Sequence, residues 1–303
     1  MGFRSDGSPQ LRYFSGEHFG VSTSPFSFEY KKRLLRGERF FLPGVAYKGV
    51  LLFFHGMGAG YTAYTQEIAY FAKQGYLVYA YDYLGCMTSE GRNIGSLCEP
   101  LKIQERFFRF LGEDPLASGL DRYCVGHSWG GYAALGACRK EFNVKAVVSI
   151  AGFVSAVDMI CSNGKRLEKF RFFIRNALRI GYGRLGADDI TECMKDSHAR
   201  VLYIQGEADT MVKPEQGIKK IQAAFSNDPR VRCVLVPEAG HNPYWTKEGQ
   251  LYIMELVREH RITHRDFDNQ VEVDYARLNN DDPAFMRMMS DFLQNIDKAS
   301  ARE

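Results

Sequence analysis

Tyr123-Cys124-Val125-Gly126-His127-Ser128-Trp129-Gly130-Gly131-Tyr132-Ala133-Ala134 decides how the rest of the chain is read. It runs from a short apolar segment, through a serine between glycines, into small and apolar residues at helical spacing, which is strand, sharp turn and helix. A serine at such a turn takes strained backbone and lifts its hydroxyl above the sheet. Gly126 and Gly130 are needed because a Cβ at either place would strike the neighbouring strand or helix. The helix that opens at Trp129 aims its amide dipoles at Ser128 and favours negative charge there. These are the makings of a nucleophile. Gly-x-Ser-x-Gly is also compatible with a plain glycine-rich turn, and the two readings part on whether partners for the serine stand elsewhere in the right order.

Working outward, strand-length apolar runs alternate with helical spacing. Upstream, residues 50–54 (Val-Leu-Leu-Phe-Phe) form a run expected of a strand covered on both faces, and Met57-Gly58-Ala59-Gly60 cannot continue it. Residues 62–74 have helical spacing ended by Gly75, residues 76–81 are a strand closing on Asp82, and residues 99–111 are a helix. Residues 26–30 and 38–42 are expected as antiparallel edge strands separated by residues 31–37, and everything up to about Gly20 as a loose lead-in. Downstream come a helix at 129–140, strands at 144–150, 201–205 and 231–236, and a helix near 214–225. Connections of this length make right-handed crossovers, hence a parallel sheet covered on both faces with ligands beyond the carboxyl ends of its strands.

Composition sets the bounds. At 303 residues the chain suits one large α/β domain with a decorated loop, or two small ones. Basic and acidic residues nearly balance at 39 and 36, which gives no reason to propose nucleic acid as a partner. Residues 1–10 are polar with no apolar core, against a secretory signal, and Asp6 stands where a myristoylation motif wants Ser or Thr. No apolar run is long enough to span a bilayer. Seven scattered cysteines without a C-x-x-C pair read as reduced residues of a cytoplasmic protein. No cluster has metal-ligand spacing, and no metal or other cofactor is expected.

Two segments break the alternation. Residues 153–200 are too long for a simple crossover and are expected to form a helical cap, with one helix at 165–180 turning Leu167, Phe170, Ile174, Ala177 and Leu178 to one side. Arg171, Arg175 and Arg179, four apart, would form a basic stripe, either an ordinary solvated face or a surface making weak contact with acidic substrates or lipid headgroups. Asp158, Glu168 and Asp188 are expected to be solvated, although an aminopeptidase would need one cap carboxylate to hold a substrate ammonium. The second break is the polar stretch 246–281, before a last helix that Asp282 caps and Pro283 begins. The domain reading is therefore 20–152 as first core part, 153–200 as cap insertion, and 201–303 as second core part with a 246–281 insertion.

A serine hydroxyl becomes a nucleophile when an imidazole takes its proton and a buried carboxylate holds that imidazole. After the strand 201–205 comes Gly206-Glu207-Ala208-Asp209, and after 231–236 comes Pro237-Glu238-Ala239-Gly240-His241-Asn242-Pro243. Ser128, Asp209 and His241 thus occur in the order nucleophile, acid, base, each just past its own strand. Glu207 is the rival acid. His198 is the rival base, but it precedes a strand and lies at the wrong end of the sheet; His127 reads as a packing residue beside the serine.

On these residues, together with His55-Gly56 after the third strand, the chain resembles the α/β-hydrolase superfamily from about Phe26 onward. It looks most like the branch holding serine aminopeptidases, monoacylglycerol lipases and lysophospholipases, whose cap sits where 153–200 sits here. The resemblance implies an α/β-hydrolase fold: about eight strands, mostly parallel, helices on both faces and a helical cap. One departure is Asp82-Tyr83-Leu84-Gly85-Cys86-Met87-Thr88-Ser89, where the family often carries D-x-x-G-x-G-x-S. It further implies an oxyanion hole made by the amides of Met57 and Trp129, with Gly58 and Gly60 keeping that loop clear of side chains. The expected activity is hydrolysis of a small acyl ester through an acyl-enzyme, with Tyr61, Tyr83, Phe153 and Tyr244 lining the substrate pocket. Amide or thioester cleavage by the same triad stays open, as does a catalytically silent fold serving as a small-molecule receptor; Ser128 in place of Asp disfavours a dehalogenase.

Overall fold

The continuously apolar runs become the central strands of one eight-stranded sheet. The computed structural model describes residues 3–8, 10–162, 164–259, 272–278 and 280–300. The strands are β1 (Ser22–Tyr30), β2 (Arg33–Phe41), β3 (Val50–Phe54), β4 (Leu77–Tyr81), β5 (Arg122–His127), β6 (Val144–Ile150), β7 (Arg200–Gly206) and β8 (Val231–Val236). Their order is β1-β2-β4-β3-β5-β6-β7-β8. The β1–β2 and β2–β4 pairings are antiparallel, and every pairing from β4 to β8 is parallel. The edge hairpin is tighter than its sequence suggests. Only Lys31 and Lys32 separate its strands, both with positive φ as a two-residue hairpin turn requires, so Leu35 falls in β2 and packs in the core.

The helices are α1 (Thr65–Lys73), α2 (Glu99–Glu113), α3 (Trp129–Gly136), α4 (Ala156–Ser162), α5 (Lys165–Glu168), α6 (Arg171–Tyr182), α7 (Arg184–Ala187), α8 (Thr191–Lys195), α9 (Ile218–Ala224), α10 (Lys247–Arg258), α11 (Tyr275–Leu278) and α12 (Pro283–Ser300). Strand residues alternate between two cores. Val50, Leu52 and Phe54 of β3 join Leu101, Phe107, Trp129 and Ile218 on the α2, α3 and α9 side. Leu51 and Phe53 join Ile68, Phe71, Met286 and Phe292 on the α1 and α12 side. Each such fully buried side chain is worth about 1.5–3 kcal/mol over leaving it in water, which explains why runs without polar interruption sit in the middle of the sheet.

Three expectations change. α3 stops at Gly136, and residues 140–142 form a separate 3-10 turn with Asn143 in the left-handed region, which starts β6. The lead-in is pinned: Arg4 donates to the carbonyls of Met87 (2.6 Å) and Gly91 (2.7 Å), and Ser5 pairs with Cys86 and donates from Oγ to Gly58 O at 2.8 Å. Among the described residues, 153–200 hold not one helix but five short ones, because the chain is out of helical geometry at Gly164 and again at Lys169–Phe170, between α5 and α6. Leu178 is buried and Ile174 packs against the core, but Leu167, Phe170 and Ala177 face outward. At the second break, Asp282 Oδ1 accepts from Ala284 N at 2.7 Å ahead of α12, while residues 260–271 of the 246–281 stretch lie outside the described residues. Among the described residues no helix is long and apolar enough to cross a membrane, all seven cysteines are free thiols, and no three His, Cys, Asp or Glu side chains are gathered as metal ligands would be.

Candidate active site

Ser128 follows β5 and caps α3 with φ 57° and ψ −118°, a left-handed backbone that a non-glycine residue holds only when its surroundings force it. Those surroundings are visible. The Ser128 amide donates to Ile150 O at 2.8 Å, and Tyr132 N donates back to Ser128 O. A Cβ on Gly126 would run into the Gly130 carbonyl, and one on Gly130 into Phe54 O, so strand and helix close on each other around the serine. Ser128 is partly exposed while both flanking residues are buried.

The loops carrying Asp209 and His241 meet each other, and His241 adjoins His127, the residue before the serine. His241 Nδ1 and Asp209 Oδ2 are 2.8 Å apart, with the carboxylate fully shielded from solvent. Asp209 Oδ1 accepts from the amides of Met211 (2.9 Å) and Val212 (3.0 Å), which leaves Oδ2 directed at the imidazole. Nδ1 therefore carries the proton, and Nε2 is the free lone pair. Glu207 is exposed, as is His198, which precedes β7; neither joins this group.

His127 joins the base loop to the loop after β3. Its pKa is pushed down to about 3 by burial and by the neighbouring His241, so it is neutral. Nε2–H donates to the His241 carbonyl at 2.9 Å, and Nδ1 accepts from the Tyr64 hydroxyl, also at 2.9 Å. Tyr64 in turn accepts from Gly56 N at 3.2 Å. One relay thus runs from Gly56 through Tyr64 and His127 to His241. Burial likewise lowers the His55 pKa to about 4; its Nδ1–H donates to Gly56 O, and its Nε2 accepts from Tyr83 N at 3.1 Å.

The two amides implied as an oxyanion hole, those of Met57 and Trp129, donate to no protein acceptor among the described residues. Gly58 has open space where a Cβ would be. At Gly60, a Cβ would strike the Asp82 carboxylate, so that glycine serves the loop anchor rather than clearance for a donor. Asp82 is buried, accepting from Tyr61 N (3.2 Å), Thr88 N (3.1 Å) and Thr88 Oγ1 (2.7 Å). Burial nonetheless raises its pKa to about 6. Met87, where the family pattern has glycine, takes φ 40° and is held there through its carbonyl by Arg4.

Sequence reading missed two features. Glu67 of α1 is buried and hydrogen-bonds Tyr244 and Trp245, in the turn that follows His241. Burial and the nearby Asp281 raise its pKa, and burial raises that of Asp281, which accepts from Gln66 at 2.8 Å. A glutamate at an inward position of an amphipathic helix was the available signal. The second concerns the aromatics expected to line a substrate pocket. Tyr61, Tyr83, Phe153 and Tyr244 are all buried: Tyr83 lies on His55 and edges Trp129, Phe153 stacks on Tyr132, and Tyr61 packs against Phe40. Their flat rings fill space in the packed interior. Tyr244 does border a cavity of about 190 Å³, but this lies between the N-terminal segment and α10, with Tyr13, Tyr64 and Asn242.

Asp158, Glu168 and Asp188 are paired rather than simply solvated. Asp158 holds Arg171 and Lys220, Glu168 holds Arg171 at 2.6 Å, and Asp188 holds Arg175 at 2.8 Å. The arginine stripe is thus largely neutralised from within.

Comparison with known proteins agrees with this architecture. The family model described as serine aminopeptidase, S33, matches residues 46–180, which include the loop after β3 and the Ser128 turn but stop before Asp209 and His241. No curated protein matches the chain. The Pyrococcus furiosus esterase Pf2001 is similar at 14% identity and TM-score 0.64, over 95% of this chain and 98% of that one. The α/β hydrolase GrgF from Penicillium sp. sh18 is similar at 16% identity and TM-score 0.55, over 80% and 99%. A predicted CIB-like hydrolase from Thermoplasma acidophilum is similar at 16% and 0.52, over 91% and 100%. At these identities the likeness is one of fold. With the sheet and the Ser128 turn, it gives the chain an α/β-hydrolase fold.

Proposed function

We propose that this α/β hydrolase cleaves a carboxylic ester through an acyl-enzyme on Ser128. The observation that carries the reading is the 2.8 Å hydrogen bond between His241 and the shielded Asp209, on loops adjoining a serine held in a strained turn. Ser128 Oγ attacks the carbonyl carbon as His241 Nε2 takes its proton, and Asp209 steadies the imidazolium. The carbonyl oxygen, now an alkoxide, accepts from the Met57 and Trp129 amides, whose freedom from protein acceptors supports that role. His241 then protonates the leaving alcohol, the C–O bond breaks, and water enters by the same steps in reverse to release the acid. The 153–200 segment acts as the cap.

An ester is favoured over an aminopeptide. Asp158, Glu168 and Asp188 already hold cations of the chain, which leaves none of the three for a substrate ammonium. Exposed Met57 and Met211, on the loops of the proposed oxyanion amide and acid, suit an acyl group. Seven free thiols support a reducing, cytoplasmic setting. A panel of short p-nitrophenyl esters, aminoacyl amides and acyl thioesters tests the reading: the wild type is expected to turn over esters fastest and Ser128→Ala none of them. Preference for aminoacyl amides would replace the substrate class, and full activity in Ser128→Ala would refute the nucleophile.

A further inference from the structure

Helix α6 carries one broad apolar stripe, of which only one edge is covered. Its inner face carries Ile174, packed against the core, and Leu178, buried. Its outer face continues from Phe170 through Phe173 and Ala177 to Ile180, spaced three or four apart, with Phe172 alongside. Phe170, Phe172, Phe173 and Ile180 are 56%, 71%, 67% and 89% exposed, and the rings of Phe172 and Phe173 touch at 5.7 Å. Scattered exposed apolar residues need no explanation; a contiguous aromatic and aliphatic stripe on one helix does.

The charge around it selects an occupant. Residues 165–184 contain seven Lys and Arg against one acid, Glu168. Arg171 and Arg175 are spent on Asp158, Glu168 and Asp188, whereas Arg166, Lys169 and Arg179 make no ion pair among the described residues and are exposed. A second copy of the chain is a poor fit, because a two-fold contact through this face would set net positive charge against net positive charge. An anionic bilayer satisfies both properties, taking Phe and Ile side chains into the headgroup and acyl boundary while the cations meet the lipid phosphates.

We infer that the outer face of α6 docks the protein on membranes containing anionic lipid. Its occupancy is measured by vesicle binding, without reference to catalysis. The full chain is sedimented with vesicles of phosphatidylcholine alone and of phosphatidylcholine with phosphatidylserine, and the bound fraction is followed against salt. Binding is expected to the anionic vesicles, weakening as salt rises. It should fall about tenfold or more in Phe172→Ser/Phe173→Ser, and also in Lys169→Glu/Arg179→Glu, from loss of apolar and electrostatic contact respectively. Both variants alter exposed side chains, and unchanged circular dichroism secures the comparison. Failure of the wild type to bind, or equal binding by the Phe variant, overturns the inference. So does a concentration-dependent dimer abolished by the Phe substitutions, which would give the face to a second copy.

Discussion

The rim at the carboxyl ends of β5, β7 and β8 and the helical segment between β6 and β7 solve the same problem in opposite ways. At the rim each important residue is held through hydrogen bonds that involve backbone: the Ser128 amide and carbonyl by Ile150 and Tyr132, the Asp209 carboxylate by two amides, and the His241 carbonyl by the His127 imidazole. In the 153–200 segment, position is set by side-chain ion pairs such as Arg175–Asp188, and much apolar surface stays in water. Backbone hydrogen bonds at strand ends define an atom's place closely. Exposed ion pairs contribute only about 0–1 kcal/mol and tolerate rearrangement. The difference separates a region whose side chains are closely placed from one that leaves apolar surface uncovered.

The sharpest way to break this contrast is at the rim. Asp209→Asn should lower kcat for an ester by about four orders of magnitude, because the imidazole then loses the partner that keeps its proton on Nδ1. Steady-state kinetics checks this, and a loss under tenfold would remove Asp209 from the mechanism.

A smaller effect is expected one step back in the relay. Tyr64→Phe leaves Gly56 N without its acceptor and His127 Nδ1 without its donor, loosening the base loop and the Met57 loop together. We expect kcat to fall about tenfold, or 1.4 kcal/mol of transition-state stabilisation, with KM little changed. An equal rise in KM with kcat intact would make Tyr64 a substrate-binding residue instead.

Glu67 and Asp281 bring pH into the comparison. Burial, with repulsion from Asp281 in the case of Glu67, raises both folded-state pKa values above those of an unfolded chain. The folded state then binds more protons than the unfolded state between the unfolded and folded values. The stability this pair contributes is present below the unfolded carboxylate range and lost as pH rises through the raised folded values. Glu67→Gln keeps hydrogen-bond acceptance from Tyr244 and Trp245 while removing a charge. It should flatten the decline in urea stability from acid to neutral pH and add on the order of 1 kcal/mol at neutral pH. An unchanged pH profile would contradict the pairing.

In the 153–200 segment the expected effect is least. Phe172→Ser/Phe173→Ser should shift thermal stability by no more than about 0.5 kcal/mol per site, since neither ring is buried. A large loss of Tm would mean that these rings pack in solution.

The contrast also explains what could be read from the sequence. Val50 to Phe54 announces a central strand because burial on both faces tolerates no polar residue, and Gly126-x-Ser128-x-Gly130 announces its turn because two backbone approaches forbid a Cβ. Asp209 and His241 follow from their place after a strand. The stripe 170, 173, 177, 180 defeats the same reasoning: the apolar arc of α6 is wider than the surface that covers it, and spacing alone does not say which edge turns inward. The burial of the expected substrate aromatics was not legible for a related reason. An aromatic residue near a site in sequence fills a core as readily as it lines a pocket, and Tyr83 and Phe153 do the former.

The central claim is that Ser128 is a nucleophile activated by His241. A fluorophosphonate probe with peptide mapping by mass spectrometry tests it most directly. A single adduct on Ser128 in the wild type, slowed strongly in His241→Ala, is the predicted result; a folded protein that is not labelled, or is labelled at another residue, would contradict it.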